Sequence, residues 1–197
     1  MDRKGENRIV LIAGANDALR PGDVDLALEG KSSWDAILLQ LEIPLETACH
    51  AISAGAAREI PVILAAGPPV KLSLEKLRGV TVLSPNESEP EALTGIRPDG
   101  LESASRAAAL LEKSTGAREV VLKLGDRGAL CRIDGHWKLI EAHRVEVVDT
   151  TAAGDSFTAA LAIEYTRKTG IKEAARRAIA AGALAVTRLG AQPSLPT

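Results

Sequence analysis

Short aliphatic runs alternate with longer segments of helical periodicity along most of the chain, and this alternation limits the possible folds more than any other feature. The runs have the length of buried strands, and the segments between them can form crossover helices. We predict strands at Arg8–Ala13, Ala36–Leu41, Pro61–Ala66, Val80–Leu83 and Glu119–Leu124. We predict helices at Pro21–Gly30, Leu45–Glu59, Asn86–Thr94 and Leu101–Ser114. This order indicates an α/β protein with a mainly parallel central sheet.

Composition shows what fills the core and which partners are excluded. Hydrophobic residues make up 46% of the 197 residues and aromatic residues only 2%, so aliphatic side chains must form the core. The 24 basic and 26 acidic residues nearly balance, which argues against nucleic acid as a partner. No apolar run has the length of a membrane span, and no signal-peptide apolar segment follows the charged N-terminus. Because two distant cysteines make no disulfide framework, we expect a reducing, cytoplasmic setting.

The pattern changes in the last third of the chain, where helices no longer separate the strand-like runs. These runs are Gly128–Ile133, His136–Ile140 and Arg144–Val148. Asp134-Gly135 lies between the first two and is a strong hairpin signal. Helices at about Ala153–Lys168 and Ile171–Arg188 close the chain. We therefore predict a partly antiparallel edge of the sheet and a single domain over residues 1–197.

The segment Asp149–Phe157 carries the strongest chemical signal. A strand-like run ends at Val148, and helical spacing begins at about Ala153 after several small residues. The N–H groups at a helix start have no intrahelical partners and attract anions, and Asp155 places a carboxylate beside them. A base next to an anion site is the arrangement that phosphoryl transfer to a hydroxyl requires. The alternative is a tight turn in which Asp155 is a first-turn helix acid.

This segment, Asp-Thr-Thr-Ala-Ala-Gly-Asp-Ser-Phe, resembles the signature of the ribokinase-like (PfkB-type) carbohydrate kinases. Further stretches resemble family segments in the same order, namely Ser84–Gly95, Val121–Gly128 and Ala183–Ser194, with shorter matches at Gly14–Leu19 and Leu38–Glu42. The resemblance runs from about Gly5 to Pro196. It implies a ribokinase-like three-layer α/β/α fold that binds ATP, Mg²⁺ and a small-molecule sugar.

The resemblance also implies roles for the residues of the signature. Asp155 would accept the proton of the sugar hydroxyl, and the amides of Ala152, Ala153 and Gly154 would stabilise the transferred phosphoryl group. In the Pro-Asn-x-x-Glu segment of the family, Asn86 and Glu89 would act near the phosphates and the Mg²⁺ shell. An Asn followed three residues later by Glu is also a capping-box-like pattern, and both interpretations can hold together.

The nucleotide would lie along the stretch that follows the last parallel strand, lined by Lys123, Gly125, Asp126, Arg127 and Gly128. Ribokinases usually carry a small hydroxyl residue where this chain has Lys123. That lysine would either reach a phosphate as a point charge or be a solvated charge at a strand end. Ile179 is a second departure, because a polar residue near the adenine or ribose is usual there. Both departures concern nucleotide affinity or base preference.

A monovalent-cation site, expected to hold K⁺, is implied as well. Asp149 and Ser194 would supply side-chain oxygens, and backbone carbonyls would come from Thr151, Ala185, Arg188 and Gly190. On the sugar side, Asp155 and Glu42 would contact the substrate, since ligand sites collect at strand ends in such sheets. The alternative for Glu42 is an exposed strand-end residue.

The resemblance leaves part of the family pattern unmatched. The chain has no Asn-x-Asp sugar contact, no Gly-Gly-Lys-Gly-Ala-Asn stretch and no lid strands, so we expect it to be the ATP-binding part of a sugar kinase without about the N-terminal third. The expected parent reaction is phosphorylation of a sugar, with D-ribose favoured. Alternatives are a kinase for another sugar or a nucleoside, and a nucleotide- or ion-binding module without catalysis. We also expect a homo-oligomer, or self-association through surfaces that the missing part normally covers.

Overall fold

The computed structural model of the protein describes residues 12–30 and 33–196. Most of the predicted strand Arg8–Ala13 lies outside the described residues. Within them, a four-stranded parallel sheet has the order β1-β2-β3-β4, and an antiparallel sheet has the order β5-β6-β7. The strands are β1 Ile37–Gln40, β2 Val62–Ala65, β3 Val82–Leu83, β4 Glu119–Val120, β5 Leu122–Lys123, β6 Ala129–Ile133 and β7 His136–Ile140.

The two sheets meet in one stretch of extended chain. Between β4 and β5, the N–H of Val121 donates to the carbonyl of Leu83 at 2.9 Å. The N–H of Lys123 donates to Pro85 O at 2.8 Å. The predicted strand Glu119–Leu124 therefore joins the parallel sheet to the antiparallel edge, as its position in the sequence suggested.

The helices cover both faces of this sheet. They are α1 Pro21–Glu29, α2 Leu45–Ala57, α3 Glu89–Thr94, α4 Leu101–Thr115, α5 Ala153–Thr166 and α6 Ile171–Ala185. Val62 and Leu64 of β2 face a core that includes residues of α2 and α4, whereas Ile63 faces a second core built with α5 and α6. Successive residues of β2 thus pack into cores on opposite faces of the sheet, as in a three-layer α/β/α fold. The predicted fold class is confirmed.

The hairpin prediction is also confirmed. β6 and β7 pair in antiparallel register from Ala129 opposite Ile140 to Ile133 opposite His136. Both residues of the turn have positive φ, 52° at Asp134 and 78° at Gly135. Such a pair of central residues is what a tight hairpin turn requires, and it favours Asp-Gly.

Arg144–Val148 is not a strand, and this prediction was wrong. The N–H groups of Val148 and Asp149 both donate to Val186 O, just beyond α6, at 2.8 and 3.2 Å. Val147 is 59% exposed and Val148 is 49% exposed. Alternating apolar residues therefore lie in an extended connection that runs past the end of α6, without a strand to pair with.

Asn86–Thr94 is helical only from Glu89, since the side chain of Asn86 accepts the N–H groups of Ser88 and Glu89 and turns the chain before the helix begins. The last helix ends at Ala185 rather than Arg188, because a turn towards the segment that ends in Ser194 follows it. Cys49 and Cys131 are free thiols. None of the helices in the described ranges has the length and apolar character needed to cross a bilayer.

Candidate functional site

The start of α5 forms the floor of the candidate site. Its N-cap, Ala152, has a left-handed backbone with φ 61°. This conformation is uncommon for a residue with a side chain and marks a sharp change in chain direction. The turn directs the amides of the first helical residues, among them Gly154, out of the helix end. Of the predicted amides, that of Ala153 donates to Thr150 O at a long 3.3 Å.

Asp155 lies in this first turn and is exposed. A donor from another part of the sheet reaches it: the Nε2 amide of Gln40, at the carboxyl end of β1, donates to Asp155 Oδ1 at 3.0 Å. Gln40 was not among the residues predicted from the sequence. Its signal was its place at a strand end, within the stretch Leu38–Glu42 that resembles the family.

Glu42, the predicted sugar contact, lies two residues beyond the end of β1 in a bend and is exposed. Among the described hydrogen bonds and ion pairs, none joins Glu42 to Asp155. The structure therefore places Glu42 near the same strand end, and its role as a sugar contact stays a prediction.

Asn86 and Glu89 hold each other at the end of β3. The backbone N–H of Asn86 donates to Glu89 Oε2 at 2.8 Å, and Asn86 Oδ1 accepts the N–H of Glu89 at 3.3 Å. This reciprocal pair is the capping-box-like arrangement. Glu89 is buried, and burial raises the pKa of its carboxyl, an effect that the Asn86 hydrogen bond and the charge of Lys123 partly offset. The reciprocal bonds of the capping interpretation are present, although Ser88 rather than Asn86 is the N-cap residue of α3. The role toward Mg²⁺ stays a prediction.

Lys123 feels the charges of two carboxylates of the site, Glu89 and Asp155. It ends β5 in a half-buried position, with Nζ 6.0 Å from the centre of the Phe157 ring. Burial lowers the pKa of its ammonium group, and the charges of Glu89 and Asp155 partly offset that effect. Burial disfavours the solvated strand-end interpretation of Lys123, and contact with a phosphate stays a prediction.

The glycine-containing turn after Lys123 is held by its own contacts. Gly128 has φ 108° and ψ −134°, and a Cβ there would collide with the backbone of Ile140–Ala142. Glycine is required at this position because the backbone at the carboxyl end of β7 approaches it closely. Gly125 also has positive φ, 55°, while Asp126 is exposed.

Arg127 is fixed to neighbouring loops. Its Nη2 group lies 3.2 Å from Glu87 Oε1 and donates to Pro98 O at 3.1 Å, while Nη1 donates to Asp99 O at 3.2 Å. These bonds tie the turn to the segment that precedes α4. In this arrangement Arg127 braces the nucleotide-side loops, and direct contact with a nucleotide stays a prediction.

Three of the six predicted cation residues, Asp149, Thr151 and Gly190, are joined by hydrogen bonds. Asp149 is buried, and its Oδ1 accepts the Thr151 hydroxyl at 2.7 Å and the Thr151 N–H at 3.0 Å. Its Oδ2 accepts the N–H of Gly190 at 2.9 Å. These hydrogen bonds, first those from Thr151, lower the pKa of Asp149. The loop before α5 is thereby fastened to the segment that follows α6.

Ser194 is buried in that segment, where its hydroxyl donates to Ala191 O at 2.8 Å. Ala185 ends α6, and Arg188 and Gly190 follow it three and five residues later in the chain. Within the described residues there is no cluster of three or more His, Cys, Asp or Glu side chains. A single carboxylate among hydroxyl and carbonyl oxygens suits a weakly hydrated monovalent cation better than a transition metal.

Ile179 lies outside the polar site. It is 6% exposed and packs in the second core, with Phe157 and Leu161 of α5. Its apolar side chain is thus explained by packing between α5 and α6.

Comparison with known proteins agrees with this geometry. The model of the pfkB family carbohydrate kinases matches residues 1–197. The chain belongs to this family. It is 34% identical to the deoxyribokinase of Salmonella typhi over 100% of its own length and 64% of that protein. The chain thus spans less than two thirds of the length of the curated relatives it matches, 64% of this one and 63% of the ribokinase of Haemophilus influenzae.

Solved structures of family members confirm the fold. The ribokinase of Thermotoga maritima is 36% identical, with a TM-score of 0.82 over 100% of this chain and 64% of that one. The ribokinase of Arabidopsis thaliana, solved with ribose and ATP, is 34% identical, with a TM-score of 0.84 over 97% of this chain and 62% of that one.

Proposed function

We propose that this chain is the ATP-binding part of a sugar kinase that transfers the γ-phosphoryl group of ATP to a hydroxyl of a pentose. The observation that carries the proposal is the convergence of Asp155, the amides at the start of α5 and Lys123. A base, an amide-lined anion site and a cation are the parts that this transfer needs. D-ribose is the favoured acceptor and deoxyribose the next, because ribokinases and deoxyribokinases are both among the relatives.

Each residue has one role in this proposal. Asp155 accepts the proton of the attacking hydroxyl, and the first-turn amides with Lys123 balance the charge that develops on the phosphoryl group. Mg²⁺ neutralises phosphate charge when bound, and Asn86 with Glu89 would act on it through its water shell. Since Glu89 Oε2 is already engaged by Asn86, direct coordination through that oxygen is disfavoured.

K⁺ would be bound by the side chains of Asp149 and Ser194 and by the backbone carbonyls of Thr151, Ala185, Arg188 and Gly190. The oxygen donors and the single buried carboxylate fit such an ion, as described above. Its contribution would be to order the loop that precedes α5, which the Asp149 bonds already hold. A cytoplasmic location and self-association stay predictions of the sequence.

The second candidate is a nucleotide- or ion-binding module without catalysis. It is favoured by the sugar side of the site, where the two predicted contacts, Glu42 and Asp155, are both exposed. In-line transfer requires both substrates to be held together, and two exposed side chains hold a sugar weakly. The two candidates differ in turnover, because both bind nucleotide.

The test replaces Asp155 by Asn, which preserves shape and removes the base. Turnover is measured in this chain supplied together with the N-terminal part of a ribokinase. We expect ADP binding by calorimetry to persist, while turnover with ribose falls by about 10²–10⁴.

Asp23→Asn is the matched control, because Asp23 also occupies the third position of a helix, α1, and accepts the N–H of Arg20 at 2.8 Å. Turnover of this control should stay normal. Near-normal turnover of Asp155→Asn would leave Asp155 as a first-turn helix acid and refute the kinase mechanism. Absence of turnover in the complemented wild type, with ADP binding retained, would favour the binding module.

A further inference from the structure

The hydrogen bond between Gln40 and Asp155 joins two elements that are far apart in the chain. Gln40 Nε2 donates to Asp155 Oδ1 at 3.0 Å across a separation of 115 residues. Among the described hydrogen bonds, this is the only one in which the Asp155 carboxylate takes part. We propose that Gln40 is a positioning residue that orients the general base; this rests on the proposed function.

The sheet fixes the position of Gln40. β1 pairs with β2 from Ile37 to Gln40, where Gln40 lies opposite Ala65. The next amide, that of Leu41, donates to Gly67 O at 2.7 Å. A donor at the end of a paired strand has little backbone freedom. It is therefore suited to hold a side chain in a defined geometry.

Asp155 needs such a partner because of its own surroundings. It is exposed in the first turn of α5, where its side chain has few packing contacts to select one rotamer. A single donor to Oδ1 fixes the plane of the carboxylate and leaves Oδ2 for the hydroxyl that loses its proton. Because the Gln40 amide is neutral, it orients the base without forming an ion pair that the reaction would have to break.

The chemistry of position 40 is therefore restricted. Methionine has a similar length but no donor, so the carboxylate would lose its fixed orientation. Glutamate would place a second carboxylate within hydrogen-bond distance of Asp155, and two such groups tend to share one proton. The base would then be partly blocked. Both Gln40→Met and Gln40→Glu should therefore lower turnover, although Asp155 itself is still present in each variant.

The experiment compares Gln40→Met and Gln40→Glu with the control Leu38→Met, in the same complemented enzyme. Leu38 is two residues earlier on the same face of β1 and is 49% exposed. We expect Gln40→Met to lower kcat by about ten- to a hundredfold with an unchanged KM for ATP, and Gln40→Glu to lower kcat at least as far. Leu38→Met should behave like wild type.

A double-mutant cycle with Asp155→Asn separates an action through Asp155 from a direct action on the sugar. If Gln40 acts through Asp155, Gln40→Met should cause no further loss in the Asp155→Asn background. Additive losses, or a loss that appears in the KM for sugar, would overturn the proposal and make Gln40 a substrate contact.

A second measurement is made by NMR on the isolated 197-residue chain and requires no enzymatic turnover. The ¹³Cγ resonance of Asp155 should move in Gln40→Met and stay in place in Leu38→Met. An unmoved resonance in folded Gln40→Met protein would overturn the positioning role. If Asp155→Asn proves fully active, the proposed function fails first. If Asp155→Asn is inactive and Gln40→Met has normal kcat, the positioning role alone fails.

Discussion

Replacing Gly154 by Ala should separate the stability of the α5 start from its function as an anion site. Gly154 is the second residue of α5, and no atom outside its own turn lies within 4 Å of the place where a Cβ would be built. Its φ is not in the positive range that side chains avoid. The methyl group therefore causes no strain. Alanine should stabilise the folded protein by about 0.5–1 kcal/mol, because glycine loses more backbone freedom in a helix.

The same methyl group should weaken the anion site. A phosphoryl group held by the first-turn amides must approach the Gly154 backbone closely, and a side chain there would keep it away. Loss of one hydrogen bond to a charged group is worth about 1.5–3 kcal/mol. That corresponds to roughly a ten- to a hundredfold loss in turnover, or in affinity for a nucleotide whose terminal phosphate reaches the amides.

Gly22→Ala is the matched control. Gly22 is likewise the second residue of a helix, α1, and nothing lies within 4 Å of its built Cβ. Urea unfolding should show a similar gain for both variants, while ATP turnover and calorimetry should change only for Gly154→Ala. Equal turnover and affinity in the two variants would refute the assignment of these amides to the phosphoryl group. A destabilised Gly154→Ala would refute the open geometry of the helix start.

Two further predictions concern the loop beside the nucleotide. Lys123→Met should be more stable than wild type at pH 7, since burial lowers the pKa of Lys123 and the charged form is thus disfavoured in the folded state. The free energy of unfolding of the wild type rises as the pH increases from the folded-state pKa toward the ordinary lysine value of about 10.4. Urea unfolding should therefore show that the stability difference between Lys123→Met and wild type becomes smaller toward pH 10. A Met variant that is less stable than wild type at pH 7 would contradict this. Gly128→Ala should lose about 3 kcal/mol or more in urea unfolding, because its Cβ meets the backbone of Ile140–Ala142 in a φ region that side chains avoid. Gly135→Ala, whose built Cβ meets open space, should lose only about 1–2 kcal/mol, and equal losses would refute the close approach.

The sequence predicted the layers of the fold because hydrophobic periodicity is a local property. The aliphatic run at Pro61–Ala66 and the helical spacing of Leu45–Glu59 indicated a parallel α/β sheet, and Asp134-Gly135 indicated the hairpin. The same local logic failed at Arg144–Val148. There the alternation was that of a strand, but no neighbouring strand was available and the backbone bonded to Val186 beyond α6. Whether an alternating segment becomes a strand depends on a partner that the segment does not contain.

The site shows the same division between local pattern and tertiary contact. The segment Asp149–Phe157 predicted by itself a helix start with a carboxylate, and Asn86 with Glu89 predicted their own capping bonds. Only the tertiary structure brought Gln40 to Asp155, and buried Lys123 where the charges of Asp155 and Glu89 act on it. A hydrogen bond across 115 residues and a shift of a lysine pKa by burial both depend on how strand ends meet a helix start. Local sequence determines which side chains a helix or strand carries. Packing determines which of these side chains are buried and which come within hydrogen-bond distance of one another.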